Sequence, residues 1–266
     1  MKTVQGIADK MLTEANSPIS YKLPLGKELI DINPLIGKEI ELIFDGNIYC
    51  KSCGSKTKKS FGQGYCYPCF TTIPQTAPCI INPEKCEAHK GIYRDKEFAE
   101  RVCLQPHYVY LAISSGLKVG VTRATQIPTR WIDQGAVKAM KLAKTPNRHL
   151  AGVIEVALKK HMNDKTSWQK MLKNDFDSEI NLSKEKEKAK THLDQELKKF
   201  ITFDKKIISL SYPIKDFPKT VKSINLDNEK QYTGVLKGIK GQYLIFEDDR
   251  VINIRKYGGY ELTLKY

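Results

Sequence analysis

What the chain lacks narrows the field first. No stretch approaches the ~18 consecutive apolar residues that a helix needs to span a bilayer, which argues against a membrane partner. The start of the chain, Met1 to Ala15, has scattered charges and no long apolar core, so a secretory signal peptide is not expected. Both absences point to the cytoplasm, where thiols stay reduced. No internal repeat is evident. Acidic residues are in deficit: 30 Asp and Glu stand against 44 Lys and Arg, a formal net charge of +14. That surplus favours a polyanionic partner, DNA or RNA, because basic side chains gain by displacing counterions from phosphates. A plainly solvated surface is the alternative. Apolar mass is not lacking. Hydrophobic residues make up 41% of 266, enough to build a core and to argue against wholesale disorder.

Cysteine is absent before residue 50 and after residue 103; all seven lie between Cys50 and Cys103. Two CxxC pairs stand out, Cys50-Lys51-Ser52-Cys53 and Cys66-Tyr67-Pro68-Cys69. Each can form a tight knuckle with both sulfurs aimed at one centre, and two knuckles supply four thiolates for a closed, structural zinc site. Gly54, Gly62 and Gly64 flank the knuckles and can take the positive φ that such turns need. Disulfides are disfavoured in a reducing compartment, and a redox CxxC would not need two copies. Lys56, Lys58 and Lys59 on the intervening hairpin could meet phosphates or simply be solvated. A second group, Cys79, Cys86, His89 and Cys103, has irregular spacing but the right donors for another tetrahedral zinc, with His107 able to replace His89. Its plainer reading is buried thiols acting as small hydrophobes. One or two zinc ions are therefore expected.

The chain reads as α+β. A first unit, 1–75, carries a strand at Glu39 to Phe44 leading into the zinc ribbon. A second, 76–174, holds a hairpin from Tyr108 to Ile113 and Leu117 to Thr122, joined by Ser114-Ser115-Gly116. A helix from Pro128 to about Leu142 and another from His149 to Met162 follow. The latter has Leu150, Val153, Ile154, Ala157 and Leu158 at helical spacing, with Asn147 near a cap position. Residues 175–200 form a charged linker helix, most of it from Ser183 to Phe200. The last unit, 201–266, shows four short strands with Gly or Asp turns, which suggest a small β-barrel-like unit.

The middle unit resembles the GIY-YIG nuclease superfamily, in its divergent branch, over Tyr108 to Met162. The first motif corresponds to Val109-Tyr110-Leu111 and the second to Lys118-Val119-Gly120, followed by Val121-Thr122. Arg130 matches the arginine of the next helix, and Glu155, in Val-Ile-Glu-Val-Ala-Leu, matches the later glutamate. The resemblance implies a small sheet with flanking helices and metal-dependent phosphodiester hydrolysis. Glu155 would hold Mg²⁺ or Mn²⁺, Tyr110 would assist the attacking water and Arg130 would stabilise phosphoryl charge. Lys118 and Arg123 would contact substrate. Lys118 stands where the family has its second tyrosine, and Val109 where it has its first glycine. The bland readings are a packed Tyr110, an Arg130–Asp133 surface pair, an exposed Glu155 and a core Trp131. The whole chain also resembles a bacterial family of unknown function, through KVGVTRATQIPTRWIDQGA. Three functions stay open: a metal-dependent nuclease, a non-catalytic nucleic-acid or ribosome-associated binding protein, and a protein-interaction scaffold.

Overall fold

A computed structural model describes residues 1–162 and 166–266. The chain is mixed α+β and divides into two compact units. One joins Met1–Thr71 with Leu210–Tyr266, and the other is Thr72–Ser209.

In the first unit, β1 (Thr3–Ile7), β2 (Leu12–Glu14), β3 (Ser20–Leu25), β4 (Glu28–Asp31) and β5 (Glu39–Ile48) come from the N-terminal stretch. Strand β5 follows its sequence pattern: Ile40, Leu42 and Phe44 alternate into the core while Glu39 and Asp45 face out. It ends in the cysteine hairpin, which closes with helix α1 (Tyr67–Thr72).

The second unit contains α2 (Lys96–Phe98), β6 (His107–Ile113), β7 (Leu117–Arg123), α3 (Thr129–Asp133), β8 (Lys138–Thr145) and α4 (Arg148–Lys159). After these come α5 (Trp168–Leu172), α6 (Leu182–Thr191), α7 (Gln195–Lys198) and β9 (Ile207–Ser209). Its sheet has the order β7-β6-β8-β9 and is antiparallel throughout. Val109, Leu111 and Ile113 of the central strand β6 join Ile154 and Leu158 of α4 and Leu182 and Ala189 of α6 in one buried cluster.

The expected helix from Pro128 to Leu142 is cut short. Helix α3 stops at Asp133, and Gly135 takes the left-handed φ of +68° that commonly closes a helix. Val137 N–H then donates to Ile113 O at 2.7 Å and draws the chain into β8. Ala139, Leu142 and Ala143 favour helices in isolation, but pairing against β6 overrides that weak preference. The charged segment also departs from a solvated linker. Helix α6 buries Leu182, Lys186 and Ala189 at helical spacing. The Lys186 ammonium donates to Lys141 O at 3.0 Å and Asp204 O at 2.6 Å.

The last stretch returns to the first unit with β10 (Lys222–Ser223), α8 (Leu226–Glu229), β11 (Gln231–Lys240), β12 (Tyr243–Phe246), β13 (Arg250–Asn253) and β14 (Tyr260–Lys265). Its strands do not stand apart from the N-terminal ones. They share a seven-stranded sheet of order β1-β14-β5-β11-β12-β13-β10, in which Leu42 of β5 is paired with Leu264 on one side and Tyr232 on the other. A strand's periodicity shows which face is buried and not which distant strand will satisfy its edge.

Candidate functional site

The cysteine hairpin is set by backbone bonds. Cys50 N–H donates to Ser55 O at 2.9 Å, and Gly54 N–H returns to Cys50 O at 2.8 Å, with Gly54 at φ +72°. On the other arm, Phe70 N–H donates to Cys66 O at 2.8 Å as α1 begins. The Gly258-Gly259 turn before β14 receives the hairpin. Tyr49 N–H donates to Gly259 O at 2.7 Å, and the Ser60 hydroxyl to Gly258 O at 3.2 Å. Sequence reading did not identify this seat, because its partner lies some two hundred residues away.

The sulfurs of Cys50, Cys53, Cys66 and Cys69 all lie within 4.8 Å of one another. Cys53 and Cys66 are 3.8 Å apart. A tetrahedron with Zn–S bonds of ~2.3 Å has edges of ~3.8 Å, so the set fits a zinc ion. Burial opposes ionisation of Cys50, but backbone hydrogen bonds from Cys53, Cys66 and Ser52 outweigh it and bring the thiol down to about 6. Zinc is held by the deprotonated thiol, and its binding releases the proton.

Beside this hairpin, Lys58, Lys59, Ser60 and Gln63 line a cleft of about 570 Å³ with Asp227, Asn253, Lys256 and Tyr260. The Asp227 carboxylate accepts from the Tyr260 hydroxyl at 2.9 Å and sits 3.8 Å from Lys256 Nζ.

In the other unit, the sulfurs of Cys79, Cys86 and Cys103 form a second set within 4.8 Å, which can also hold zinc. His89 stands outside it. It is exposed, with its ring stacked on His149 at 4.4 Å. Arg123 sits on this side of the unit. Burial lowers its pKa first, followed by repulsion from Arg148 and Arg101, and the nearby Cys103 opposes both. It pairs with His107, three rungs along the ladder from the Tyr110–Gly120 pair. That sets its backbone about 10 Å along the strands from the Tyr110–Gly120 pair.

Tyr110 is fully buried, edge-on to the core side chain Trp131 at 5.9 Å. Its hydroxyl donates to Gln134 Oε1 at 2.6 Å. The ring lies across Gly120 of the facing strand, where an added Cβ would stand 2.6 Å from the hydroxyl oxygen. Burial pushes the phenol up to about 12. The charge of Arg130 pulls it down, and the charge of Glu155 raises it. Three elements thus converge electrostatically: β6 with the phenol, α3 with the guanidinium and α4 with the carboxylate. Helix α4 starts where expected, capped by Asn147 Oδ1 accepting from Leu150 N–H at 3.0 Å. Glu155 is only 8% exposed and lies 3.4 Å from Lys159, unlike the exposed helix residue of the bland reading. Lys118 is buried in β7, its ammonium 3.2 Å from the Thr166 hydroxyl. Gln134, which holds the Tyr110 hydroxyl, was not singled out by motif matching, whereas Gly120 is the glycine of the second motif.

The chain is thus a mixed α+β protein with two cysteine clusters that could hold zinc, one of them consistent with a zinc ribbon. No helix among the described residues is long and apolar enough to cross a membrane. Residues 37–262 match the family described as "Protein of unknown function (DUF2797)", and the chain belongs to that family. No curated protein and no solved structure matches it.

Proposed function

We propose that this is a zinc-containing nucleic-acid-binding protein with a nuclease-like core, in which Arg130 takes a backbone phosphate and Glu155 supplies the carboxylate for metal-dependent cleavage. The observation that supports the reading is the buried Tyr110 phenol, held by Gln134 across Gly120, on which the charges of Arg130 and Glu155 both act. The net charge of +14 and the lysine-lined cleft beside the cysteine hairpin supply the attraction for a polyanion.

One carboxylate suits Mg²⁺ or Mn²⁺ only if waters and a substrate phosphate complete the shell, as they commonly do for Mg²⁺. When bound, that ion would neutralise phosphoryl charge. The chain's own groups do the rest. Arg130 orients the phosphate through a planar fork of donors. Tyr110 stays protonated at neutral pH, so its phenol orients by hydrogen bonding and does not serve as a base. A cation held by Glu155 would compete with Lys159 for that carboxylate.

A second reading, binding without cleavage, is favoured by the same burial: the Tyr110 hydroxyl is already engaged by Gln134, and Glu155 is already paired. A cleavage assay on mixed DNA and RNA with Mg²⁺ or Mn²⁺, comparing wild type with Glu155→Ala, separates them. Metal-dependent cleavage lost by at least about 100-fold in the variant supports the nuclease. No cleavage in either protein, with tight binding that weakens steeply with salt, leaves the binding function alone. Binding indifferent to salt removes both.

A further inference from the structure

Residues 74–104 contain single helical turns and little else: Pro74–Thr76, Pro78–Ile80, Pro83–Lys85, Ala88–Lys90, α2 and the wider turn Ala99–Cys103. The buried cluster that holds them together consists mainly of Cys86, Ala88, Ala99, Val102 and Cys103. The segment also rests on α4 through Pro83 and Glu84, but its own apolar core is small, which is where a cross-link adds most. Three sulfurs gather at its centre, with Cys86 and Cys103 almost wholly buried. Three thiolates leave the fourth corner of a tetrahedron to be filled.

His107 is the buried imidazole at hand. It follows Cys103 by four residues, opens the central strand β6 and is 1% exposed. Its Nδ1 lies 2.7 Å from Gln105 O. A carbonyl oxygen only accepts, so Nδ1 carries the proton and Nε2 offers its lone pair. Among the described residues, Nε2 has no hydrogen-bond partner. An orphaned buried acceptor costs on the order of 1–3 kcal/mol. A ring held by Nδ1–H on a backbone carbonyl, with Nε2 left bare, is the arrangement of a zinc-bound histidine. Charge also balances. Three thiolates and Zn²⁺ leave one negative charge, and Arg148, whose Nη1 donates to Cys79 O at 3.2 Å, acts on all three sulfurs.

We propose that Cys79, Cys86, Cys103 and His107 form a second, closed zinc site that pins the 74–104 segment to the first residue of β6. His107 Nε2 stands outside the 4.8 Å set formed by the sulfurs, so ligation would require the imidazole to approach the ion. The rival is a water bridging His107 Nε2 to Arg148 Nε, which is likewise buried without a partner. The inference does not depend on the phosphate chemistry.

The test uses the full chain, zinc stoichiometry, competition with a chromophoric chelator, and the visible spectrum after Co²⁺ substitution. Wild type is expected to hold one zinc per cluster, and Cys86→Ser to lose the second. His107→Ala is expected to weaken that zinc by more than about 100-fold, beyond the loss typical of an outer-shell partner. His107→Cys is expected to restore it, with the Co²⁺ bands shifted towards an all-thiolate site, and carries the test if the alanine variant does not fold. Unchanged affinity and spectrum in His107→Ala, unchanged Co²⁺ bands in His107→Cys, or loss of the zinc in both variants would overturn the proposal.

Discussion

Lys240 shows what a single buried charge does to this fold. It lies on β11 at 0% exposure, its ammonium 5.4 Å from the Tyr212 ring centre and 5.1 Å from that of Phe217. Burial lowers its pKa to about 8. Between about pH 8 and the unfolded value near 10.5, the unfolded chain keeps a proton that the folded one has released. Stability contributed at this position therefore rises with pH across that window and is lowest below it. The full penalty is about 3 kcal/mol, offset in part by the two ring faces. Lys240→Met is expected to stabilise the protein by about 1–3 kcal/mol at pH 7 and by little at pH 10.5. Urea denaturation at the two pH values checks this. An equal effect at both would mean that burial of the charge carries no cost here.

Among the elements, α4 serves two neighbours. Its apolar stripe of Ala151, Ile154 and Leu158 packs into the main core. Beside that stripe, Gly152 lets the Pro83–Glu84 backbone approach closely: a Cβ there would stand 2.1 Å from Glu84 N and 2.4 Å from the Pro83 carbonyl carbon. Helix propensity alone predicts that Gly152→Ala stabilises by about 1 kcal/mol. The backbone clash predicts the opposite sign, a loss of about 1–3 kcal/mol, because neither backbone can rotate aside as a side chain would. A thermal melt decides the sign. Faster proteolysis within residues 74–104 is the accompanying expectation, since His149 Nδ1, 2.8 Å from Glu84 O, would lose its hold on that segment. A melt midpoint at or above wild type would show that the segment yields without cost.

At the scale of the molecule, a zinc ion held by Cys50, Cys53, Cys66 and Cys69 would be coupled to the fold. The cysteine hairpin bonds to the Gly258-Gly259 turn that leads into β14, and β14 pairs with both β1 and β5. Stripping zinc with a strong chelator is therefore expected to lower the unfolding midpoint by roughly 10 °C or more. Re-addition of Zn²⁺, but not Mg²⁺, should restore it, because thiolates prefer the softer ion. A midpoint unmoved by chelation would mean that the turns hold without an ion.

Much of the site was readable in the residues themselves. The Cys50, Cys53, Cys66 and Cys69 set converges as its spacing implied, since two short knuckles on one hairpin are a local matter. Helix α4, its Asn147 cap and the hairpin of β6 and β7 were likewise local, written in apolar periodicity and turn residues. What the sequence could not settle depended on partners distant along the chain. The β8 segment has helix-favouring residues and became a strand because β6 offered an unpaired edge. The N- and C-terminal stretches read as separate units, yet one sheet interleaves them. Glu155 and His107 are both buried, which only the packed structure decides: periodicity assigns a face to each residue, and the tertiary fold determines what that face meets.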